Sequence, residues 1–458
     1  MVTTSRPLGH LLRVLGLAFG LAVVVGGTVG QGIFRTPGIV AAHAHSPSLM
    51  LGLWALGGAL VAIDACAMVE LSAAVRQAGG PYVYIGRAFG RVARSVAGWA
   101  DYLVWTMALA FISVVFSEYI HELGALRGVP GGVLAAGLIV ACWALNLGGT
   151  RSSGATQTLF SAIKGAMLTG LIVALFAWRE GAGAEVVAAP TMPSPAVGVL
   201  ALVGAMRAIV NTYSGWWASS YFNEEVRQQR DIVRATFGGI LAITAIYVLV
   251  NAALLHVLSP AEMAATKLPA AAAATRALGS AGGVVMTAMA IFSVVAICNL
   301  AMMLVSRIGY GMARDRVLPR ALMQVSAKGT PQVAMSVAAG LAIAAALSGT
   351  YETLIAVTVP VSVAMIGAVD LAAIRLRRRE PALERPFRMP LYPLPALVGF
   401  LLNAGLVVAM AVEDPAHTAT GIGAAVVLGI GYALFGKSEP EATAREAGAS
   451  LLPSTRAP

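Results

Sequence analysis

Twelve apolar runs, most of them near twenty residues long, follow one another along the chain: 14–43, 48–72, 95–120, 132–148, 156–178, 197–222, 235–258, 282–308, 332–348, 353–374, 393–412 and 417–435. About 20 apolar residues in helical form cross the hydrocarbon core of a bilayer. Helices satisfy their own backbone hydrogen bonds there, so the runs predict an all-α polytopic membrane protein with twelve transmembrane helices. Composition agrees. Hydrophobic residues make up 58% of the chain and charged residues 11%, against roughly 45–50% and 25% in soluble domains. A soluble enzyme or nucleic-acid binder is excluded by that balance, and disorder is excluded by the hydrophobicity.

The net charge of +10 has a topological reading. With the N-terminus inside, 24 of the 31 Lys and Arg residues fall on the inner side, four outside (Arg127, Arg179, Lys267, Arg276) and three within spans (Arg35, Lys164, Arg207). Such a bias orients a polytopic protein with its basic loops in the cytoplasm. It predicts both termini inside, in a bacterial cytoplasmic membrane, with the bilayer as partner and no nucleic acid. Residues 181–196 carry Pro190, Pro193 and Pro195 and read as an extended outer loop, residues 259–281 as an outer connection with an interfacial helix, and 437–458 as a disordered cytoplasmic tail.

Two runs are unsuited to continuous helix. The first contains Val25-Gly26-Gly27-Thr28-Val29-Gly30-Gln31-Gly32. Each glycine disfavours helix by about 1 kcal/mol relative to alanine. An unwound backbone is tolerated at this depth only where it lines a cavity. Its bare N–H groups open a second half-helix and suit a carboxylate, while its bare carbonyls suit an ammonium. Close helix packing through small residues is the competing explanation. The sixth run, Asn211-Thr212-Tyr213-Ser214-Gly215-Trp216-Trp217, is interrupted at a corresponding place. Paired interruptions five spans apart point to a transporter site.

These segments also carry a resemblance. Gly30-Gln31-Gly32-Ile33-Phe34, Glu70-Leu71 with Ala78-Gly79-Gly80-Pro81-Tyr82, Tyr213-Ser214-Gly215-Trp216 with Glu224-Glu225, and Ser293, Asn299 and Ser306-Arg307 with Met312-Ala313-Arg314-Asp315 stand in the order and spacing of one family. Over about residues 14–435 the chain resembles the amino acid–polyamine–organocation superfamily, and within it the L-type amino acid transporter-like permeases. The resemblance implies a single transporter domain of the LeuT type, a 5+5 inverted repeat with broken helices 1 and 6. Residues 10–180 would form the first repeat, 196–376 the second, and 390–436 the appended helices 11 and 12.

By matched position, the resemblance implies that the amides of Gly30, Gln31 and Gly32 take a substrate α-carboxylate. The carbonyls near Thr28, Asn211 and Ser214 would take the α-ammonium, next to Gly215 and Trp216, and Asn299 would line the side-chain pocket. Lys164 would stand in for a bound sodium ion, joining the break near Gly27 to Ser293. Three departures stand out: Asn211 where the family carries a gating aromatic, Gln228 and Val233 near its usual prolines, and Arg316 in place of a glycine.

Other intramembrane charges admit structural roles. Arg35 reads as a vestibule charge, Arg207 as a partner of carbonyls or Glu118, Asp64 as a helix-packing partner of a Ser, Thr or Tyr, and Glu70 with Arg76 as loop structure. Cys66, Cys142 and Cys298 lie in apolar runs with no metal or disulfide spacing. The outer loop between spans three and four has no cysteine, so no disulfide-linked accessory subunit is expected. No cofactor or metal is implied. The chain lacks G-x-x-x-x-G-K-[ST], G-x-S-x-G and H-E-x-x-H, so it does not read as an enzyme.

The expected activity is secondary active transport of neutral amino acids by alternating access, through sodium-independent exchange or proton coupling. A cationic amino acid or polyamine carrier and a non-transporting amino acid sensor are the rival readings.

Overall fold

The computed structural model describes residues 11–30, 32–44, 46–124, 126–179, 195–266, 268–349 and 351–435. Gln31, His45, Lys267, most of the predicted outer loop and the predicted tail lie outside the described residues. Helices dominate: α1 (Leu17–Thr28), α2 (Gly32–Ala44), α3 (Pro47–Ala74), α4 (Pro81–Phe89), α5 (Arg91–Glu122), α6 (Gly131–Asn146), α7 (Thr150–Ala177), α8 (Pro195–Thr212), α9 (Gln229–Val257), α10 (Pro260–Ala265), α11 (Pro269–Leu278), α12 (Ala281–Arg314), α13 (Gln332–Ser348), α14 (Tyr351–Arg379), α15 (Leu394–Glu413) and α16 (Pro415–Phe435). A 3-10 segment, Trp216–Phe222, follows α8. Among the described residues the single β-type pairing is an isolated bridge between Leu15 and Val226.

Eight of these helices are long and apolar enough to cross a membrane, nine when α1 and α2 count as one bent span; α6 and α13 are shorter and apolar. The chain is therefore a multi-pass membrane protein. Each predicted run contains a helix, and the departures lie at the ends. α12 continues to Arg314 and α14 to Arg379, past the last apolar residues. Toward these ends Arg307 and Arg314 of α12 and Arg377 of α14 each meet a carboxylate. The single interfacial helix expected in 259–281 is two, α10 and α11. Pro269 starts the second, and Ser259 caps the first through a reciprocal hydrogen-bond pair with Glu262.

α12 is the pillar: 72% of its most apolar window is buried, against 22% for α15 and for α16. α15 and α16 therefore present most of their surface outward, toward lipid. α1 packs on α7 and α9, and α2 on α8 and α10, so the two halves of the first span have different neighbours. Arg316 adopts a left-handed φ of 61°, a conformation that a glycine takes without steric cost.

Several charged residues have partners other than those expected. Arg207 pairs with Glu413 at the end of α15. Asp64 accepts from Asn403 Nδ2 at 3.0 Å, on α15, rather than from a hydroxyl. Glu70 is fully buried and holds Arg377 and Arg385 at 2.6 and 3.1 Å, while Arg76 is exposed. In each case the partner lies more than two hundred residues away in sequence, beyond the reach of local pattern.

Candidate functional site

The first span unwinds where its glycines cluster. α1 ends at Thr28, Val29 is extended (φ −73°, ψ 97°), and α2 begins at Gly32 with its axis turned by 49°. The sixth span unwinds between Thr212 and Trp216. Its hinge is Gly215, left-handed at φ 112°. A Cβ at Gly215 would stand 2.5 Å from the Gly27 carbonyl oxygen, so the two breaks touch backbone to backbone. A Cβ at Gly32 would stand 2.9 Å from Thr212 Cγ2. The start of α2 thus lies against the end of α8, with Thr36 and Thr212 hydroxyls 2.7 Å apart.

The bare backbone groups are then shared out. Lys164 on α7 is 4% exposed, and its ammonium donates to Gly26 O at 2.9 Å and Val29 O at 2.7 Å, spanning the break. Ser293 on α12 donates to the same Val29 oxygen at 3.4 Å. Lys164 therefore meets the carbonyls flanking Gly27 and Thr28, not that of Gly27. Tyr247 on α9 lies within hydrogen-bond distance of both span ends: its hydroxyl is 3.1 Å from Thr28 O and 3.0 Å from Thr212 O. Trp54 and Tyr213 pack edge-on against its ring. Thr28 Oγ1 is buried with no hydrogen-bond partner among the described residues. The first N–H groups of α2 have no intrahelical acceptor.

The other expected residues separate. Asn211 is exposed and lines a cavity of about 630 Å³ with His43, Arg207, Val359, Pro360 and Glu413. Ser214 donates its N–H to Asn211 O. Trp216 is buried, edge-on to Trp217. Asn299 is fully buried and engaged elsewhere: it donates to Gln157 Oε1 and accepts from Asn146 Nδ2, both at 2.9 Å. That chain of amides links α6, α7 and α12 beside the breaks. A second cavity, about 400 Å³, lies among Phe34, Tyr119, Glu122, Leu268 and Met286.

Sequence reasoning missed Tyr247. Its signal is a hydroxyl inside the apolar stretch Ile246-Tyr247-Val248, because a buried tyrosine hydroxyl usually finds a partner. It also missed Asp101, whose buried carboxylate accepts from Tyr221 of the 3-10 segment at 2.7 Å. Among the described residues no three His, Cys, Asp or Glu converge as a metal site, and all three cysteines are buried thiols.

The start of the first broken span and the exit of the second are tied together. Leu15 N–H donates to Glu225 O at 3.0 Å and Arg227 N–H to Leu15 O at 2.9 Å. Glu225 in turn takes a bidentate pair from Arg307 of α12, both bonds at 2.9 Å.

The profile of the family described as amino acid permease matches residues 11–435. The chain belongs to that family. This permease is 26% identical over 389 residues to the serine/threonine exchanger SteT of Bacillus subtilis (strain 168), covering 84% of this chain and 87% of that protein. It is 29% identical over 430 residues to the Asc-type amino acid transporter 1 of Homo sapiens, covering 91% and 81%. It is 28% identical over 425 residues to the b(0,+)-type amino acid transporter 1 of Mus musculus, covering 90% and 86%. The permease is thus a membrane transporter and not an enzyme.

Proposed function

We propose that this permease moves small neutral amino acids across a bacterial cytoplasmic membrane by alternating access, through sodium-independent exchange or proton coupling. The chain crosses twelve times with both termini inside. Residues 10–180 and 196–376 act as inverted five-helix repeats, with 390–436 appended. The observation that carries the reading is the contact of two interrupted spans at Gly27 and Gly215.

An amino acid has one carboxylate and one ammonium. The free amides at the start of α2, with Gly30, Gln31 and Gly32, receive the carboxylate, since a helix N-terminus favours an anion. The carbonyls near Thr28, Asn211 and Ser214 receive the ammonium, and the unpartnered Thr28 hydroxyl is available to the same ligand. These contacts read the zwitterion and leave the side chain to be read by its surroundings. Lys164 holds the break with a fixed positive charge, the task a sodium ion would otherwise perform. Exchange of small polar substrates is supported by the name of the Bacillus relative, a serine/threonine exchanger.

The test is uptake of radiolabelled serine, alanine, leucine, arginine and putrescine into proteoliposomes, with and without internal amino acid, a pH gradient or sodium. Serine or alanine uptake driven by internal amino acid or by protons, and indifferent to sodium, supports the proposal. Uptake of only arginine or putrescine would establish the cationic reading, and binding without flux would establish a sensor.

A further inference from the structure

We infer that the inner end of the bundle holds a site for a phosphate-bearing anion of polyol type, such as a glycerophosphate headgroup, that clamps the inner halves of the two broken spans. A cavity of about 610 Å³ lies there, lined by Arg13 before α1, Arg76 after α3, Arg227 between the 3-10 segment and α9, and Arg230 in the first turn of α9. All four arginines are exposed. Glu384 is the single carboxylate in its lining.

The contrast with neighbouring arginines is the first argument. At the same end of the molecule, Arg87 pairs with Glu380, Arg307 with Glu225, Arg314 with Glu224, and Arg377 and Arg385 with Glu70. Among the described residues no ion pair is formed by Arg13, Arg76, Arg227 or Arg230. A cytoplasmic bias accounts for the side on which arginines lie. It does not account for four guanidinium groups from three separate stretches lining one hollow with one acid among them. Like charges so arranged repel unless an anion joins them, and planar guanidinium forks match phosphate oxygens.

The floor of the cavity supplies the second argument. Asn223 is 1% exposed, and its amide nitrogen donates to Val75 O and to Tyr84 Oη. Its Oδ1 has no partner among the described residues. Gln229 donates to Asn223 O, and its Oε1 is likewise buried without a partner. Two residues that line the cationic cavity thus each carry a buried acceptor without a partner. Phosphate oxygens satisfy the arginines, and hydroxyl groups on the same ligand satisfy the two amide oxygens. The start of α9 at Gln229 adds free amides favourable to an anion. Basic hollows between helices on the inner side are places where anionic lipid headgroups lodge.

The position gives the site a consequence. Val226 lines the cavity and is paired with Leu15 in the bridge that joins the inner end of α1 to the exit of the 3-10 segment. An anion held there by Arg13 on one side and Arg227 and Arg230 on the other fastens both half-spans. This regulatory consequence rests on the transport mechanism proposed above, whereas the binding itself does not.

The test measures binding to the purified full chain in non-ionic detergent, with dioctanoyl phosphatidylglycerol, glycerol 3-phosphate and dioctanoyl phosphatidylcholine as probes. Phosphatidylglycerol binding at least tenfold tighter than phosphatidylcholine, weakened at least tenfold in Arg76→Gln/Arg230→Gln and unchanged in the off-site variant Arg151→Gln, is expected. Glycerol 3-phosphate binding equally well would identify a soluble phosphate as the source, and its failure would identify the lipid. If the Gln pair does not fold, Arg76→Lys/Arg230→Lys is expected to bind with intermediate affinity. Equal affinity for phosphatidylcholine, no binding of either phosphate anion, or full affinity in the folded pair variant overturns the inference. These readouts need no transport, so they stand whether or not the protein carries amino acids.

Discussion

The carbonyl oxygen of Gly27 lies 2.5 Å from the point where a Cβ on Gly215 would stand. Two spans separated by nearly two hundred residues thus meet at glycines, at the places where each loses its helix. The contact leaves no room for a side chain, and Gly215 also needs its left-handed φ of 112°. Gly215→Ala pays a left-handed penalty of about 1–2 kcal/mol before the overlap is counted. The variant is expected to lose transport and to melt several degrees lower. Gly137→Ala, in α6 with open space around it, is expected to be neutral or stabilising by about 0.5–1 kcal/mol. Thermal melting of both in detergent checks the pair.

Lys164 bridges the first break through Gly26 O and Val29 O. Lys164→Ala is expected to abolish or uncouple transport while the protein is still produced and monodisperse. Uptake rates in proteoliposomes across pH 5–8 provide the check. Wild-type kinetics and pH dependence in that variant would remove Lys164 from the mechanism.

Tyr247 lies within reach of both span ends by one hydroxyl. Tyr247→Phe keeps the ring against Trp54 and Tyr213 and removes the hydrogen bonding, which is worth about 1 kcal/mol net for an ordinary bond and more when a buried partner is left unsatisfied. A loss of about 1–3 kcal/mol in stability, with weakened amino acid binding, is expected. It is read by thermal melting and by substrate titration of the same preparation.

In the connection between α9 and α12, the Arg276 guanidinium beside Glu262 holds its carboxyl down to about 2, from an ordinary 4.5, with help from the Ser259 cap. A depressed carboxyl stabilises the fold fully above its ordinary value. The contribution fades as pH falls from about 4.5 toward 2. The pair is partly exposed, so its worth is at most about 1 kcal/mol. Glu262→Gln is expected to melt slightly below wild type at pH 7, with the difference shrinking as pH approaches 3. A difference that grows on acidification would contradict the assignment.

Much of this architecture is legible in sequence because run length is set by the bilayer and glycine clusters mark where helix fails. The bent first span follows directly from Gly26, Gly27, Gly30 and Gly32. The partners of Lys164 were legible only approximately: burial in an apolar run signals an internal partner, but which carbonyl the ammonium reaches depends on how α7 crosses α1. The meeting of Asp64 with Asn403 and that of Arg207 with Glu413 were not legible. They join α3 to α15 and α8 to α15, and a single sequence carries no record of which helix faces become neighbours. Asn299 shows the same limit. Its place in a polar network with Asn146 and Gln157 depends on three helices crossing at one depth.

The central claim is that the touching breaks grip both charges of a zwitterion. Displacement of radiolabelled serine from the purified protein tests it most directly, using alanine, ethylamine and propionate as competitors. The account predicts that alanine displaces serine and that neither single-charge analogue does so at a hundredfold higher concentration. Displacement by ethylamine or propionate as effective as that by alanine would contradict it.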